Sequence, residues 1–147
     1  MTETTRCAEC GTILAEGVAC ADHFHQMLAW EQMYGLGQAH HLLVASYHAQ
    51  HPSLLSREGL AAMHDLLRRF VIDGEAPSDV RRTMRDDVAS GNRNYPITAR
   101  PGNVGAYATR PPWTMSAGDV VAGGIGDFIE NVERWAASIV EALAKPD

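Results

Sequence analysis

The chain has 147 residues, 46% of them hydrophobic and 20% charged, with a formal net charge of −6. That length suits one domain with one core and leaves no room for two ordinary ones, and the apolar content excludes a disordered chain. A pI near 5.6 gives no general basic field for a nucleic-acid backbone, and no run of about 18 apolar residues is present to span a membrane.

The opening MTETTRCAEC has no apolar segment behind positive charge, so no secretory signal is read there. The expected compartment is therefore the cytoplasm, where thiols stay reduced. Residues 7–20, CAECGTILAEGVAC, form a compact glycine-containing loop that carries all three cysteines. A helical period follows from about Ala21 to Tyr34, with Phe24, Met27, Leu28 and Glu31 on one face. Gly35 and Gly37 break it into a tight turn. A second helix runs from about Gln38 to Gln50 and stops near His51, because Pro52 disfavours helical geometry in the residue before it. Ser53 or Ser56 can cap a third helix reaching Ile72, with Leu60, Met63, Leu67 and Phe70 as its apolar stripe.

Asp73-Gly74 ends that helix, and Pro77-Ser78-Asp79 opens a fourth, up to about Ala89. The stretch Gly91 to Pro112 holds four of the seven prolines and has no helical period. YPITAR and VGAYATR flank Pro101-Gly102-Asn103, which fits a β-hairpin or an ordered covering loop. Ser116 with Asp119 resembles a capping box and begins a short helix through Val121. Asp127 with Glu130 repeats the signature ahead of a last helix striped by Phe128, Val132, Trp135, Ile139 and Leu143. The expected fold is mainly α: a small helical bundle with an N-terminal zinc-knuckle loop and one irregular or β-hairpin excursion. Residues 1–147 read as a single domain. Within it, 1–20 is the metal-binding loop, 21–89 the helical core, 90–113 the irregular covering segment and 114–144 the C-terminal helices.

Three cysteines cannot pair among themselves without one left over, and an intracellular CxxC points to metal or redox chemistry. In Cys7-Ala-Glu-Cys10-Gly11 two thiolates can chelate one ion from a tight turn. Cys20 arrives at the mouth of the first helix, where the helix N-terminus stabilises a thiolate. Zinc favours four tetrahedral sulfur or imidazole ligands, so one histidine completes the set. Residues 40–52, HHLLVASYHAQHP, hold four of the seven histidines. If the first two helices pack antiparallel through the Gly35–Gly37 turn, Cys20 lies level with His51 and His48, and Glu31 with His40 and His41. His51 is the favoured fourth ligand; His48 and His23, which makes a C-x-x-H with Cys20, are the alternatives.

Glu31 shares a face with Phe24 and Leu28, where an unpaired carboxylate is expensive, and His40 or His41 is its nearest partner. Two functions compete. One is a small zinc protein whose structural site supports binding of a partner protein or small ligand. The other is a metal-dependent hydrolase or group transferase. It would use Glu31, His41, Tyr47 and Asp119 in a pocket beneath the Gly91–Pro112 segment, with Arg93 and Arg100 available to an anionic substrate. No GxSxG elbow, HExxH pair, phosphate loop or HxE…PCxxC deaminase pattern is present.

CAECG, CADHFHQMLAWE and HHLLVASYHAQHPSLLSREGL, continued by WTMSAGDVVAGG and ENVERWAASIVEAL, resemble a family of short bacterial proteins known only as a domain of unknown function. The HHLLVxxYHxQHPS element is the specific part. The resemblance implies importance for Cys7, Cys10, Cys20, Glu31, His40, His41, Tyr47, His48, Gln50 and His51, and for Trp113, Asp119 and Trp135. His23 matches none of its motifs. The resemblance implies no activity or substrate.

Overall fold

The computed structural model describes residues 5–76, 78–79, 82, 85 and 96–145. Two short strands, β1 (Thr5–Arg6) and β2 (Ile13–Leu14), pair antiparallel with Thr5 opposite Leu14 and Arg6 opposite Ile13. The cysteine loop is thus framed by a hairpin that the residue pattern did not announce, because two-residue strands carry no readable alternation. Helix α1 (Cys20–Tyr34) ends where Gly35 turns left-handed at φ 65°, and the Leu36 amide donates to the Glu31 carbonyl at 3.0 Å. The Gly35 amide donates to the same carbonyl, so the two bonds together close the last turn in a left-handed glycine cap. A 3-10 turn (Gly37–Ala39) feeds α2 (His40–Gln50), and a second 3-10 turn (Pro52–Leu54) follows it.

Helix α3 (Arg57–Val71) is capped by Ser56, whose Oγ accepts from the Gly59 amide at 2.9 Å and donates to the Pro96 carbonyl. Ser53, the other candidate, is used elsewhere. The expected fourth helix, from Pro77 to Ala89, falls largely outside the described residues, as does Arg93. Helix α4 (Ala117–Ala122) opens with the expected box, Asp119 Oδ2 accepting from the Ser116 amide at 2.9 Å. The second expected box does not form. Asp127 precedes α5 (Phe128–Ala144) at φ −117°, ψ 27° and makes no side-chain cap bond.

Helix α2 packs against both α3 and α5, while α1 packs on α4. Burial follows from that placement. Leu42, Leu43, Ala45, Tyr47, Ala49 and Gln50 of α2 are all buried, meeting Leu60, Met63 and Leu67 from α3 and Val132, Trp135 and Ile139 from α5. The polar Gln50 is tolerated there because both ends of its amide are bonded. Its Nε2 donates to the Met115 carbonyl at 2.8 Å, and its Oε1 accepts from Trp135 Nε1 at 3.2 Å.

Residues 96–112 form an ordered covering strap. Leu55 bridges Thr98, Arg100 and Asn103 close a tight turn, and the Gly105 amide donates to the Leu55 carbonyl at 2.7 Å. Tyr107 anchors it: the phenol donates to the Ala49 carbonyl at 2.6 Å and meets His64 Nε2 at 2.7 Å. The strap therefore covers the α2–α3 junction. Among the described residues no helix is long and apolar enough to cross a membrane.

Candidate metal centre

The antiparallel arrangement of α1 and α2 appears as three contacts in constant register. Cys20 Sγ lies 3.2 Å from His51 Nε2, the rings of Phe24 and Tyr47 stack at 4.3 Å, and Glu31 Oε1 meets His40 Nδ1 at 2.8 Å. The hairpin then brings Cys7 and Cys10 to the same end. The donor atoms of Cys7, Cys10, Cys20 and His51 all lie within 4.8 Å of one another. The sulfurs of Cys10 and Cys20 are 3.5 Å apart, and Cys7 Sγ is 3.6 Å from His51 Nε2. Bond lengths of about 2.3 Å to sulfur and about 2.0 Å to nitrogen give tetrahedron edges of roughly 3.5–3.8 Å. The Cys10–Cys20 and Cys7–His51 distances fall on those edges, Cys20–His51 is a little shorter at 3.2 Å, and the whole group stays within 4.8 Å, so it can hold one metal ion.

Local bonding holds each donor in place. The Gly11 amide donates to the Cys7 carbonyl at 2.8 Å and the Cys7 amide to the Thr12 carbonyl at 2.9 Å, closing the knuckle around Gly11 at φ 79°. Glu9, between the two loop cysteines, accepts from the Ser53 hydroxyl at 2.6 Å and the Ser53 amide at 3.2 Å. It ties the loop to the turn just after His51. Trp113 Nε1, just after the strap, donates to the Glu9 carbonyl at 3.0 Å and so grips the same loop. His51 Nδ1 lies 2.6 Å from the Tyr47 carbonyl. That bond puts the ring proton on Nδ1 and leaves the Nε2 lone pair facing the sulfurs, the outer-sphere arrangement usual for a ligating histidine.

The electrostatics of the bare cluster are those of donors sharing too few protons. Hydrogen bonding from Cys20 lowers the Cys10 thiol to about 4, against the opposing effect of burial. The same contact, with burial, pushes Cys20 upward. Burial pulls His51 down, but hydrogen bonding to Cys10 and to the Tyr47 carbonyl outweighs it and raises the imidazole to about 9. A cation in the centre replaces those shared protons and lets all three sulfurs ionise.

The alternative ligands lie outside the group. His48 Nδ1 bonds the Val44 carbonyl at 2.7 Å, with its ring edge-on to Phe24 and Tyr47. His23 Nε2 is buried without a hydrogen-bond partner. Residues named for a catalytic pocket have separate tasks. Tyr47 is sandwiched between Phe24 and His51, Asp119 caps α4, and Glu31 is buried against His40, whose ring meets His41 edge-on at 5.6 Å. Glu31 Oε2 has no partner. Glu9 and Thr12 carried no sequence signal, because single polar residues in a loop have no spacing pattern, and Ser53 and Ser116 were legible only as helix caps, not as partners of Glu9 and Thr12. Trp113 was indicated only by the family resemblance.

Neither a curated protein nor a solved structure matches the chain. A family model described as "Family of unknown function (DUF5946)" matches residues 5–144. Coverage of nearly the whole chain, metal-centre residues and helical core included, makes this protein a member of the DUF5946 family.

Proposed function

We propose that the four donors hold a single zinc ion in a structural role, and that the protein acts by binding a partner protein or a small ligand. The observation that carries this reading is the convergence of three sulfurs and one imidazole nitrogen within 4.8 Å. Three thiolates with one imidazole form a soft donor set suited to zinc, and four protein ligands leave no open position for substrate. Closed sites of this kind contribute folding energy, about 10–16 kcal/mol of apparent binding free energy in zinc-finger peptides. The loop around Cys7 and Cys10 needs such support. Of residues 5–19 only Cys10 and Thr12 are buried, so the segment has almost no apolar core of its own.

The enzyme reading has less behind it. Glu31 and Tyr47 sit two turns apart in register along α1, and each is engaged with a different neighbour. Metal analysis of protein purified without added metal tests the proposal. One zinc per chain is expected, lost in Cys7→Ser together with protection of residues 5–19 from protease. Metal retained in full after Cys7→Ser would overturn the assignment and direct attention to Glu31 and His40.

A further inference from the structure

A polar cavity of about 370 Å³ opens between the hairpin and the start of α4, a volume within the range of small-molecule sites, roughly 300–1,000 Å³. Its walls come from separate parts of the chain: Arg6 and Thr12 from the hairpin, His23 from α1, Trp113 and Ser116 from the segment between the strap and α4, and Asp119 from α4. Most of the polar wall is already satisfied. The Ser116 hydroxyl donates to Thr12 Oγ1 at 2.9 Å, and Trp113 Nε1 is engaged with the Glu9 carbonyl. His23 is the exception, its Nε2 buried and unpartnered beside this cavity. A buried polar atom in that condition is costly and needs an explanation. Gly118 lets this wall pack closely, since a Cβ there would collide with Thr12 Oγ1 and stand 3.7 Å from His23 Nε2.

The charges on the wall narrow the chemistry. Arg6 and Asp119 face the same cavity with opposite sign, and neither forms an ion pair among the described residues. Arg6 Nη1 donates to the Gly11 carbonyl at 3.2 Å. Asp119 uses Oδ2 on Ser116, which leaves Oδ1 for another partner. Guanidinium suits a carboxylate and the free carboxylate oxygen suits an ammonium. We propose that this cavity binds a small zwitterion of the α-amino-acid type, its carboxylate on Arg6, its ammonium on Asp119 and a hydrogen-bonding group on His23. The cavity shares only Cys10 with the metal centre, so the inference goes beyond the zinc reading and does not depend on it.

The test is titration of the metal-replete full chain with the proteinogenic L-amino acids, one at a time, by calorimetry and by NMR of the His23 ring nitrogens. Propionate, ethylammonium and inorganic phosphate are the controls. At least one amino acid should bind at least about tenfold more tightly than any control and move the His23 signals. Arg6→Gln and Asp119→Asn should each weaken that binding by about tenfold or more with metal content unchanged; Asn at 119 keeps an oxygen for the α4 cap. The proposal is overturned if no amino acid perturbs His23 at about 10 mM. It is equally overturned if phosphate or a singly charged control binds as well, or if both variants bind like the parent.

Discussion

Replacing Gln50 with Leu removes two hydrogen bonds at a position that is 0% exposed. Trp135 Nε1, on a residue that is itself 0% exposed, loses its acceptor and has no water to replace it. An orphaned buried donor of that kind costs about 2 kcal/mol, and the Met115 carbonyl about 1–2 kcal/mol more. The leucine returns about 1 kcal/mol through added apolar burial. The net loss is therefore about 2–3 kcal/mol. Unfolding entropy of about 2.1 cal/mol/K per residue makes that a fall in Tm of roughly 6–10 °C. Urea unfolding of the zinc-loaded protein, followed by tryptophan fluorescence, measures it. A cycle with Trp135→Phe should return a coupling energy of about 1–2 kcal/mol. A loss below about 0.5 kcal/mol with no coupling would mean that the two bonds of Gln50 do not stabilise the core.

Gly59→Ala should destabilise by about 1–3 kcal/mol in the same assay, because the new Cβ collides with the Ile97 carbonyl. An ordinary helical Gly→Ala gains about 0.5–1 kcal/mol, so the sign of the change decides. Iodoacetamide should modify Cys7 and Cys20 slowly although both are half-buried, and a chelator should accelerate the reaction about tenfold or more, as read by mass spectrometry. Equal rates with and without chelator would mean that no ion guards the thiols. Burial, helped by the charge of Arg68, lowers the pKa of His64, and burial lowers that of His48. Both bind protons less readily folded than unfolded, so their stabilising contribution is complete above the unfolded value of 6.5 and is lost as pH falls below it. Replacing His64 with Gln should flatten the decline of unfolding free energy between about pH 7.5 and about pH 5.5; an unchanged slope would show that His64 does not contribute.

Much of the helical frame was legible because its signals are local. Gly35 fixes the turn between α1 and α2, and once that turn is placed the pairs Cys20–His51, Phe24–Tyr47 and Glu31–His40 follow from rise per residue. Choosing Ser56 over Ser53 as the α3 cap was not legible, since both hydroxyls precede the same helix. The difference lies in Glu9, which takes Ser53 from 44 residues away. The contacts that seat the cysteine loop are of that sort. Trp113 to Glu9 and Ser116 to Thr12 each span 104 residues and join irregular segments, where no period exists to reveal a face. Asp127 has the sequence of a cap without the bond, because that signature is satisfied by residue type alone and its geometry is set by the turn before it. The cavity at His23 had no sequence signal, since its walls come from widely separated parts of the chain.

Zinc K-edge X-ray absorption of protein purified without added metal tests directly whether Cys7, Cys10, Cys20 and His51 share one ion. The expected result is an edge from one zinc per chain, with three sulfur scatterers at about 2.3 Å and one nitrogen at about 2.0 Å. A shell of nitrogen and oxygen alone, or protein that carries no zinc while its three thiols react freely, would contradict it.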